Sequence, residues 1–523
     1  MRTNEFLMIS GAIVPDRTAI QFDGEAVSFV ELQQRSNRLA NAMAERGVGR
    51  GDRVAFMQVN CNQAVEVYFA TAQLDAIYVP INFRAKTEEL EQMLGISQPS
   101  LLFIGERYLS LIHSGGPSGS GSNAGISSEQ VIILDGHGNE GRETYDGLLA
   151  GASDDELIFP EAEDDDTTVI MFTAGTTGVP KGVMLTHESF SSFLLSTVNP
   201  ADPEIEESNL LTVPLYHIAG LQAALAAVYG GRTLIIMRQF EPAEWMGLVQ
   251  EHQADRAMLV PTMLKQLMDH PRFHEFDLSS LDVITYGAAP MPVEVIRRAI
   301  QEFPGARFIN AFGQTETAST ITMLPPEDHV MEGTPEEIEI KLNRLTSIGK
   351  PLEDVEVQIV DEDGTVVPRG ETGEIVARGS RMMSGYWRED AATKEAIRSG
   401  WIHTGDLGYQ DDDDYIFLSG RAKDFIKRGG EMVSPEEVER VLMSHPKVDD
   451  AAVIGIPDEE WGEEVRAVVV SREGGVSEEV LIQYCQDKLA SFKRPRSVVF
   501  IDELPRNVMG KVLKKDLREQ HGS

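Results

Sequence analysis

Short apolar runs recur along the chain: RVAFMQV (53–59), QVIILD (130–135), TVIMFT (168–173), TLIIMRQF (233–240), AMLVP (257–261), LDVITYG (281–287) and ARFINAFG (306–313). Their length and their content of Val, Ile and aromatic residues predict strands. Between them lie segments such as PVEVIRRAIQEF (292–303), apolar at helical spacing with charges on the opposite face. Strands alternating with helices predict βαβ units and an α/β fold with a mainly parallel, doubly wound sheet. Ligands of such folds bind beyond the carboxyl ends of the strands. After about residue 420 the texture changes. A helix (PEEVERVLMSH, 435–445), two strands (DDAAVIGIP, 449–457, and EVRAVVVSR, 464–472), a helix near 477–490 and a basic tail predict a second, small α/β domain. HSGGPSGSGSNAG (113–125) reads as a flexible surface loop, and DDDD (411–414) as a turn of solvated carboxylates.

A chain of 523 residues with 42% hydrophobic content exceeds one ordinary core. No apolar run approaches the roughly 20 residues that span a membrane. The N-terminal stretch lacks a secretory pattern, and Cys61 and Cys485 lie far apart without metal-ligand spacing, so a cytoplasmic location is expected. The 46 basic against 84 acidic residues give a formal net charge of −38, which repels polyanions and argues against nucleic acid. A small nucleotide is still admissible where cations concentrate. Lys488, Lys493, Arg494, Arg496, Arg506, Lys511, Lys514 and Lys515 face only Asp502 and Glu503 in the same stretch. A solvated basic face is the competing reading.

TAGTTGVPKG (173–182) follows a predicted strand and has the glycines, hydroxyls and lysine of a phosphate loop. It is not G-x-x-x-x-G-K-[ST], because Pro180 precedes Lys181 and Gly182 follows it. Gly175, Gly178 and Gly182 permit close backbone approach; Thr173, Thr176 and Thr177 offer hydroxyls and Lys181 a point charge. A Gly/Thr loop without a ligand is the alternative. Four further segments carry chemistry: NAFGQTET (310–317), HTGD (403–406), GRAKDFIKRGGEMVSPEEVE (420–439) and PRNVMGKVLKK (505–515). Thr315 can meet a phosphate while Glu316 holds Mg²⁺, which takes few protein carboxylates. Asp406 can accept from a ribose diol, with Arg421 beside it. Each is weak alone.

In this order the five segments resemble the adenylate-forming superfamily of acyl-CoA synthetases, firefly luciferases and peptide-synthetase adenylation domains. The resemblance runs over essentially the whole chain. It implies a large N-terminal domain, residues 1–419, of doubly wound sheets with helices plus a distorted β-barrel. A small mobile C-terminal domain, residues 420–523, would turn about a hinge near Lys423. The implied reaction joins a carboxylic acid to CoA through an acyl-adenylate, with AMP and pyrophosphate released and Mg²⁺ accompanying ATP. By similarity, Thr173, Thr176, Thr177 and Lys181 would hold the β- and γ-phosphates, Glu316 the Mg²⁺ and Thr315 the α-phosphate. Ala174 stands where a hydroxyl residue is usual, which implies weaker phosphate binding. Asn310, the Ala311 carbonyl and Phe312 (in place of the usual Tyr) would take the adenine, with Gly287, Ala288 and Ala289 on its other side. Asp406 and Arg421 would hold the ribose, and Lys511 would bridge the carboxylate and the phosphate oxygens.

The resemblance also implies that Arg84, Trp461, Phe492 and Arg494 contact the CoA nucleotide. The segment Gly429-Gly430-Glu431 would replace Lys511 in the second half-reaction. His217 would gate the acyl site, although a satisfied structural histidine is the alternative. Ile218, Ala219, Met258, Gly313, Ala318 and Ser319, with Ala288 and Ala311, would line the acyl pocket. These residues are small or apolar with no base among them, which implies an apolar monocarboxylic acid: medium-chain, branched, alicyclic or aryl. The expected activity is that of an acid–CoA ligase. The alternative is an acyl-AMP ligase that loads a carrier-protein phosphopantetheine; a luciferase-type oxygenase and a non-catalytic nucleotide module fit less well. A homodimer is a family-level expectation.

Overall fold

A computed structural model describes the chain except residues 113–124, 136–141, 158–162, 164, 174–178, 429–430, 459–460, 473, 487, 508 and 523. Most of the 113–125 loop therefore lies outside the described residues, as do Thr176, Thr177, Gly429 and Gly430. Every apolar run singled out from sequence contains a strand. Examples are Arg53–Met57, Val131–Ile133, Thr167–Thr173, Val283–Gly287 and Arg307–Gln314.

Among the described residues the large N-terminal region holds two mainly parallel sheets, of nine and eight strands. Ile77–Pro80 and Leu101–Ile104 are buried at every position, as expected for strands covered on both faces. The nine-stranded sheet runs Ser208–Leu211, Arg256–Leu259, Val283–Gly287 and Arg307–Gln314 in parallel, then closes with the antiparallel Ser319–Leu324. The carboxyl ends of these strands deliver the predicted adenine residues and the Thr315–Glu316 turn. One large apolar core joins the two sheets and their helices, with the fully buried Trp245 donating to Thr212 at 3.0 Å.

The remaining β structure of this region is a five-stranded antiparallel sheet built on Glu356–Val360, Gly373–Arg378, Trp401–Gln410 and Ile416–Arg421. The C-terminal region is an α/β unit with a five-stranded sheet. Its long hairpin pairs Val448–Asp458 with Gly462–Ser471, and Ser497–Phe500 adds in parallel. It has apolar cores of its own, one around Val438, Val453, Val469 and Leu481 and another around Ile454, Leu504 and Leu517. No described helix is long and apolar enough to cross a membrane. Both cysteines are buried and unbridged.

Candidate active site

The phosphate-loop segment joins two antiparallel strands rather than a strand and a helix. Thr167–Thr173 returns as Lys181–Thr186, with Thr173 opposite Lys181. Among the described residues no helix begins at this segment, and Lys181 is its one charged side chain. The Lys181 ammonium lies 5.0 Å from the centre of the Tyr386 ring, a cation–π contact. Tyr386 Oη donates to Glu316 Oε1 at 3.0 Å. Burial and the neighbouring Glu316 carboxylate push the Tyr386 phenol well up, so it stays a donor.

Thr315–Thr317 forms a single 3₁₀ turn at the end of Arg307–Gln314. Thr317 Oγ1 accepts from Gln314 N at 3.0 Å and donates back to the Ser319 carbonyl at 2.8 Å. Ala318 and Ser319 take left-handed φ values of 46° and 89° to make the bend. Next door, Gln314 Nε2 reaches the Thr404 carbonyl at 3.3 Å, which links the QTE turn to HTGD. Among the described residues no ion pair uses the Glu316 carboxylate. Its oxygens are hard donors suited to Mg²⁺, and only one of them is engaged by Tyr386.

HTGD is built on Glu374. Gly405 N donates to Glu374 Oε1 at 3.0 Å, and His403 Nδ1 lies 2.7 Å from Oε2. Asp406 N donates to Thr404 Oγ1 at 3.1 Å. Asp406 and Arg421 are cross-strand partners, and Arg421 Nε lies 2.8 Å from Asp406 Oδ1. Burial pushes the Asp406 carboxyl above the usual carboxylate range, while Arg421 and Lys511 pull against that rise.

Lys511, from the C-terminal region, is thus near enough to Asp406 and Arg421 to feel their charges. Its loop is shaped by Asn507, whose Oδ1 accepts from Met509 N at 3.0 Å and Lys511 N at 2.9 Å. Met509 is buried in the large N-terminal core, and Gly510, at φ +71°, lies so close to Thr262 that a Cβ would collide with its hydroxyl. Lys265 Nζ adds bonds of 2.8 Å to both oxygens of Asp449 across the same junction. The Lys511 side chain keeps solvent access along the cleft. Partial removal of water from its ammonium, then repulsion from Arg421 and Lys423, lower its pKa to about 8, against the pull of Asp406 and Asp424. The rest of the basic tail is largely spent internally: Lys493 pairs with Glu437, Arg496 with Glu464, Arg506 with Asp450, and Lys514 with Glu436 and Glu439. Among the described residues Lys511 has no ion pair within 4.0 Å, so the tail offers one cation to the cleft and no general basic patch.

The predicted adenine residues share neighbouring strand ends. Gly287 pairs with Ala311, and a side chain at 287 would collide with the Ala311 carbonyl. Asn310 Nδ2 donates to the Ser347 carbonyl at 3.2 Å. Ala288 has φ +64° and is exposed next to half-buried Ala289. Phe312 is half-buried against Ile375 and Ile321 clusters. Gly313 is required by strand pairing, since a Cβ there would meet the Ser319 carbonyl.

His217 caps the helix Ile218–Tyr229. Burial lowers its pKa to about 4, so the ring is neutral at pH 7, and Nε2 has no hydrogen-bond partner among the described residues. The satisfied-histidine alternative thus fails at this atom. Tyr216 packs against it at a tilt of 43° with ring centres 4.3 Å apart, and Phe83 meets Tyr216 edge-on at 5.5 Å. Arg84 lies over Phe83 at 5.6 Å. An aromatic chain therefore connects the predicted CoA cation with the predicted acyl gate. Ala219 and Met258 are half-buried, and Ala318 is fully buried.

Arg84 stands in the N-terminal region, whereas Trp461, Phe492 and Arg494 belong to the C-terminal one. Trp461 is 40% exposed, with the buried Arg428 guanidinium 6.0 Å from its ring centre. Arg428 also donates to the Phe492 carbonyl at 2.9 Å, and Arg494 Nε to the Leu489 carbonyl at 2.9 Å. Glu431 is exposed opposite Arg428 on the neighbouring strand.

Sequence reasoning missed Tyr386, Glu374, Thr262, Asn507 and Arg428. Asn507 had a local signal, an Asx-type turn two residues before Met509. Tyr386 and Glu374 had none, since their partners lie far away in sequence.

Two family models match the chain: "AMP-binding enzyme" over residues 10–387 and "AMP-binding enzyme C-terminal domain" over 437–511. A feruloyl-CoA synthase of an Amycolatopsis species is 34% identical over 510 residues, covering 97% of this chain and 96% of the relative. The fatty acid–[acyl-carrier-protein] ligase ScoC of Streptomyces coeruleorubidus is 32% identical over 511 residues, covering 97% and 94%. Among solved structures, ATP-bound MatB from Rhodopseudomonas palustris superposes with a TM-score of 0.87 at 30% identity, covering 100% of this chain and 99% of that one.

Proposed function

This chain belongs to the AMP-binding enzyme family as an ATP-dependent acid–CoA ligase, and we propose that its acid is an apolar monocarboxylate, aryl, alicyclic or medium-chain. The observation that carries the mechanism is the seating of the Lys511 loop on the N-terminal region through Met509 and Gly510, within electrostatic range of the Asp406–Arg421 pair. A carboxylate attacking an α-phosphate brings two anions together, and a cation between them lowers that repulsion. Lys511 would take this role. Asp406 and Arg421 hold the ribose, Asn310 and Phe312 the adenine with Gly287, Ala288, Ala289 and Ala311, and Thr315 the α-phosphate. Thr173 and Lys181, with Thr176 and Thr177, steady the departing pyrophosphate.

Glu316 would hold Mg²⁺ on ATP. Bound there, the ion would withdraw charge from the phosphate oxygens. His217, neutral and with Nε2 unsatisfied, borders the acid; Ile218, Ala219, Met258, Gly313, Ala318 and Ser319 form the apolar wall. None of these wall residues is basic, which disfavours a second carboxylate. The feruloyl-CoA relative makes aryl acids the first class to try.

The boundary expected at 419/420 falls within the strand Ile416–Arg421, which pairs with Trp401–Gln410 of the N-terminal region, so we set the division just after it, with the hinge at Lys423 inside the 3₁₀ turn Ala422–Asp424. Rotation there removes Lys511 and brings Gly429, Gly430 and Glu431 to the thiol passage. It also unites Arg84 with Trp461, Phe492 and Arg494 around the CoA nucleotide. Their division between two bodies in the described arrangement supports this sequence of events. A homodimer in the cytoplasm completes the reading.

The ScoC relative favours one competing acceptor, a carrier-protein phosphopantetheine. Pyrophosphate release over a panel of aryl, alicyclic and fatty acids, with CoA or with a phosphopantetheinylated carrier protein, decides between them. Acyl-CoA and AMP formed in equal amounts with free CoA is the expected result. Product formed only on the carrier would replace CoA as the acceptor.

A further inference from the structure

Lys181 and Glu316 carry opposite charges at one site, yet among the described residues they form no ion pair. Tyr386 contacts both: the ammonium rests on its ring face at 5.0 Å, and its hydroxyl donates to Glu316 Oε1 at 3.0 Å. The segment that carries Tyr386 is pinned to both neighbours through the backbone. Met383 N donates to the Glu316 carbonyl at 2.9 Å, Trp387 N to the Gly182 carbonyl at 2.7 Å, and Tyr386 pairs with Val183 in the sheet. A half-buried lysine and glutamate within reach of each other attract, and a direct salt bridge would consume the cation meant for phosphate and the carboxylate meant for metal. A phenol satisfies both without neutralising either. Its ring face attracts the cation, and its hydroxyl supplies a neutral donor to the anion.

We propose that Tyr386 is a positioning residue that keeps Lys181 and Glu316 from pairing, so that both are available when ATP binds. The proposal rests on the roles given above to Lys181 and Glu316. It is tested by calorimetric titration of ATP without divalent metal, in EDTA, where Glu316 has no ion to bind. Lys181→Ala is expected to weaken ATP about tenfold, the loss of one charge-assisted contact. Tyr386→Leu should weaken it by a similar factor, because Lys181 then turns to Glu316. Tyr386→Phe retains the ring under Lys181 and should stay within about threefold of the parent protein. In the double variant Tyr386→Leu with Glu316→Gln, the competing carboxylate is gone and affinity should return to within about threefold of Glu316→Gln alone. Thermal unfolding of each variant checks that it is folded; should Tyr386→Leu not fold, Tyr386→Met, which also lacks the ring, replaces it with the same expected loss and the same recovery alongside Glu316→Gln. Unchanged affinity in Tyr386→Leu, or no recovery in the double variant, overturns the proposal. Unchanged affinity in Lys181→Ala overturns the lysine's phosphate role and the proposal with it.

Discussion

The nucleotide side and the acyl side of the cleft are built on different principles. On the nucleotide side several predicted groups are already tied: Asp406 to Arg421, Glu316 to Tyr386, Asn310 to Ser347, and HTGD to Glu374. On the acyl side, His217 Nε2, the Tyr216 hydroxyl and both amide atoms of Gln222, one turn along from Ile218, are buried with no hydrogen-bond partner among the described residues. An unsatisfied buried polar atom costs about 1–3 kcal/mol, so these positions are stabilised by whatever polar group next reaches them. In the proposed reading, the half that would meet the nucleotide is the more fully bonded among the described residues, and the half that would meet the acid the less.

The largest expected effect lies on the nucleotide side. Lys511→Ala removes the one cation aimed at the new bond and should slow adenylation, read as acid-dependent pyrophosphate release, by about 10²–10³-fold or more. Thiolysis of a supplied acyl-adenylate should stay within about threefold of the parent rate, because in the proposed rotation the lysine leaves before that step. Equal losses in both half-reactions would remove Lys511 from its assigned place. Asp406→Ala comes next. It deletes the ribose acceptor and strands Arg421, and a lost charge-assisted bond of roughly 1.5–3 kcal/mol weakens ATP about tenfold to a hundredfold. The same variant should leave acid affinity nearly unchanged, whereas His217→Ala should change acid affinity and spare ATP. If both variants shift both affinities alike, the two sides are not independent.

Much of the fold was legible from sequence, for a physical reason. HTGD, QTE and the G-K of the tail were weak signals singly; their order along the chain, through its resemblance to the adenylate-forming superfamily, carried the site expectation. The strands were legible because apolar runs such as 281–287 are buried on both faces. Side chains that act through the tertiary fold left no trace: Tyr386 serves Glu316 from 70 positions away, and Glu374 shapes Gly405 from 31. The basic tail misled in the opposite direction. Its lysines and arginines look like a cationic surface until their acidic partners, distributed over 436–464, are seen. The acyl wall was least legible because small apolar residues occur in every core.

The nucleotide side also has a pH signature. The cleft depresses Lys511 to about 8, so its ammonium is present below that pH and lost above it. Adenylation kcat/KM for the acid should therefore fall with an apparent pKa near 8, about tenfold per pH unit beyond it. Lys511→Arg, charged throughout, should remove that limb whatever its effect on the maximum rate. His217, already neutral above about pH 4, should contribute no limb between pH 5 and 9. A basic limb that survives Lys511→Arg belongs to another group.

The smallest effect tests the junction that lets the two sides work in turn. Lys265 bonds both oxygens of Asp449, but each side chain is 36% exposed, so water and salt screen the pair to about 0.2–1 kcal/mol. Arg472 lies 3.6 Å from the same carboxylate and keeps it partnered when Lys265 is removed. The burial of Met509 and the close seat of Gly510 on Thr262 remain as well. Lys265→Ala should therefore slow adenylation by no more than about fivefold, with thiolysis unchanged or slightly faster, because the pair stabilises only the orientation that holds Lys511 in the cleft. The difference should shrink as ionic strength rises. A parallel loss in both half-reactions would show that the ion pair serves stability in general, and that Met509 and Gly510 alone set the orientation.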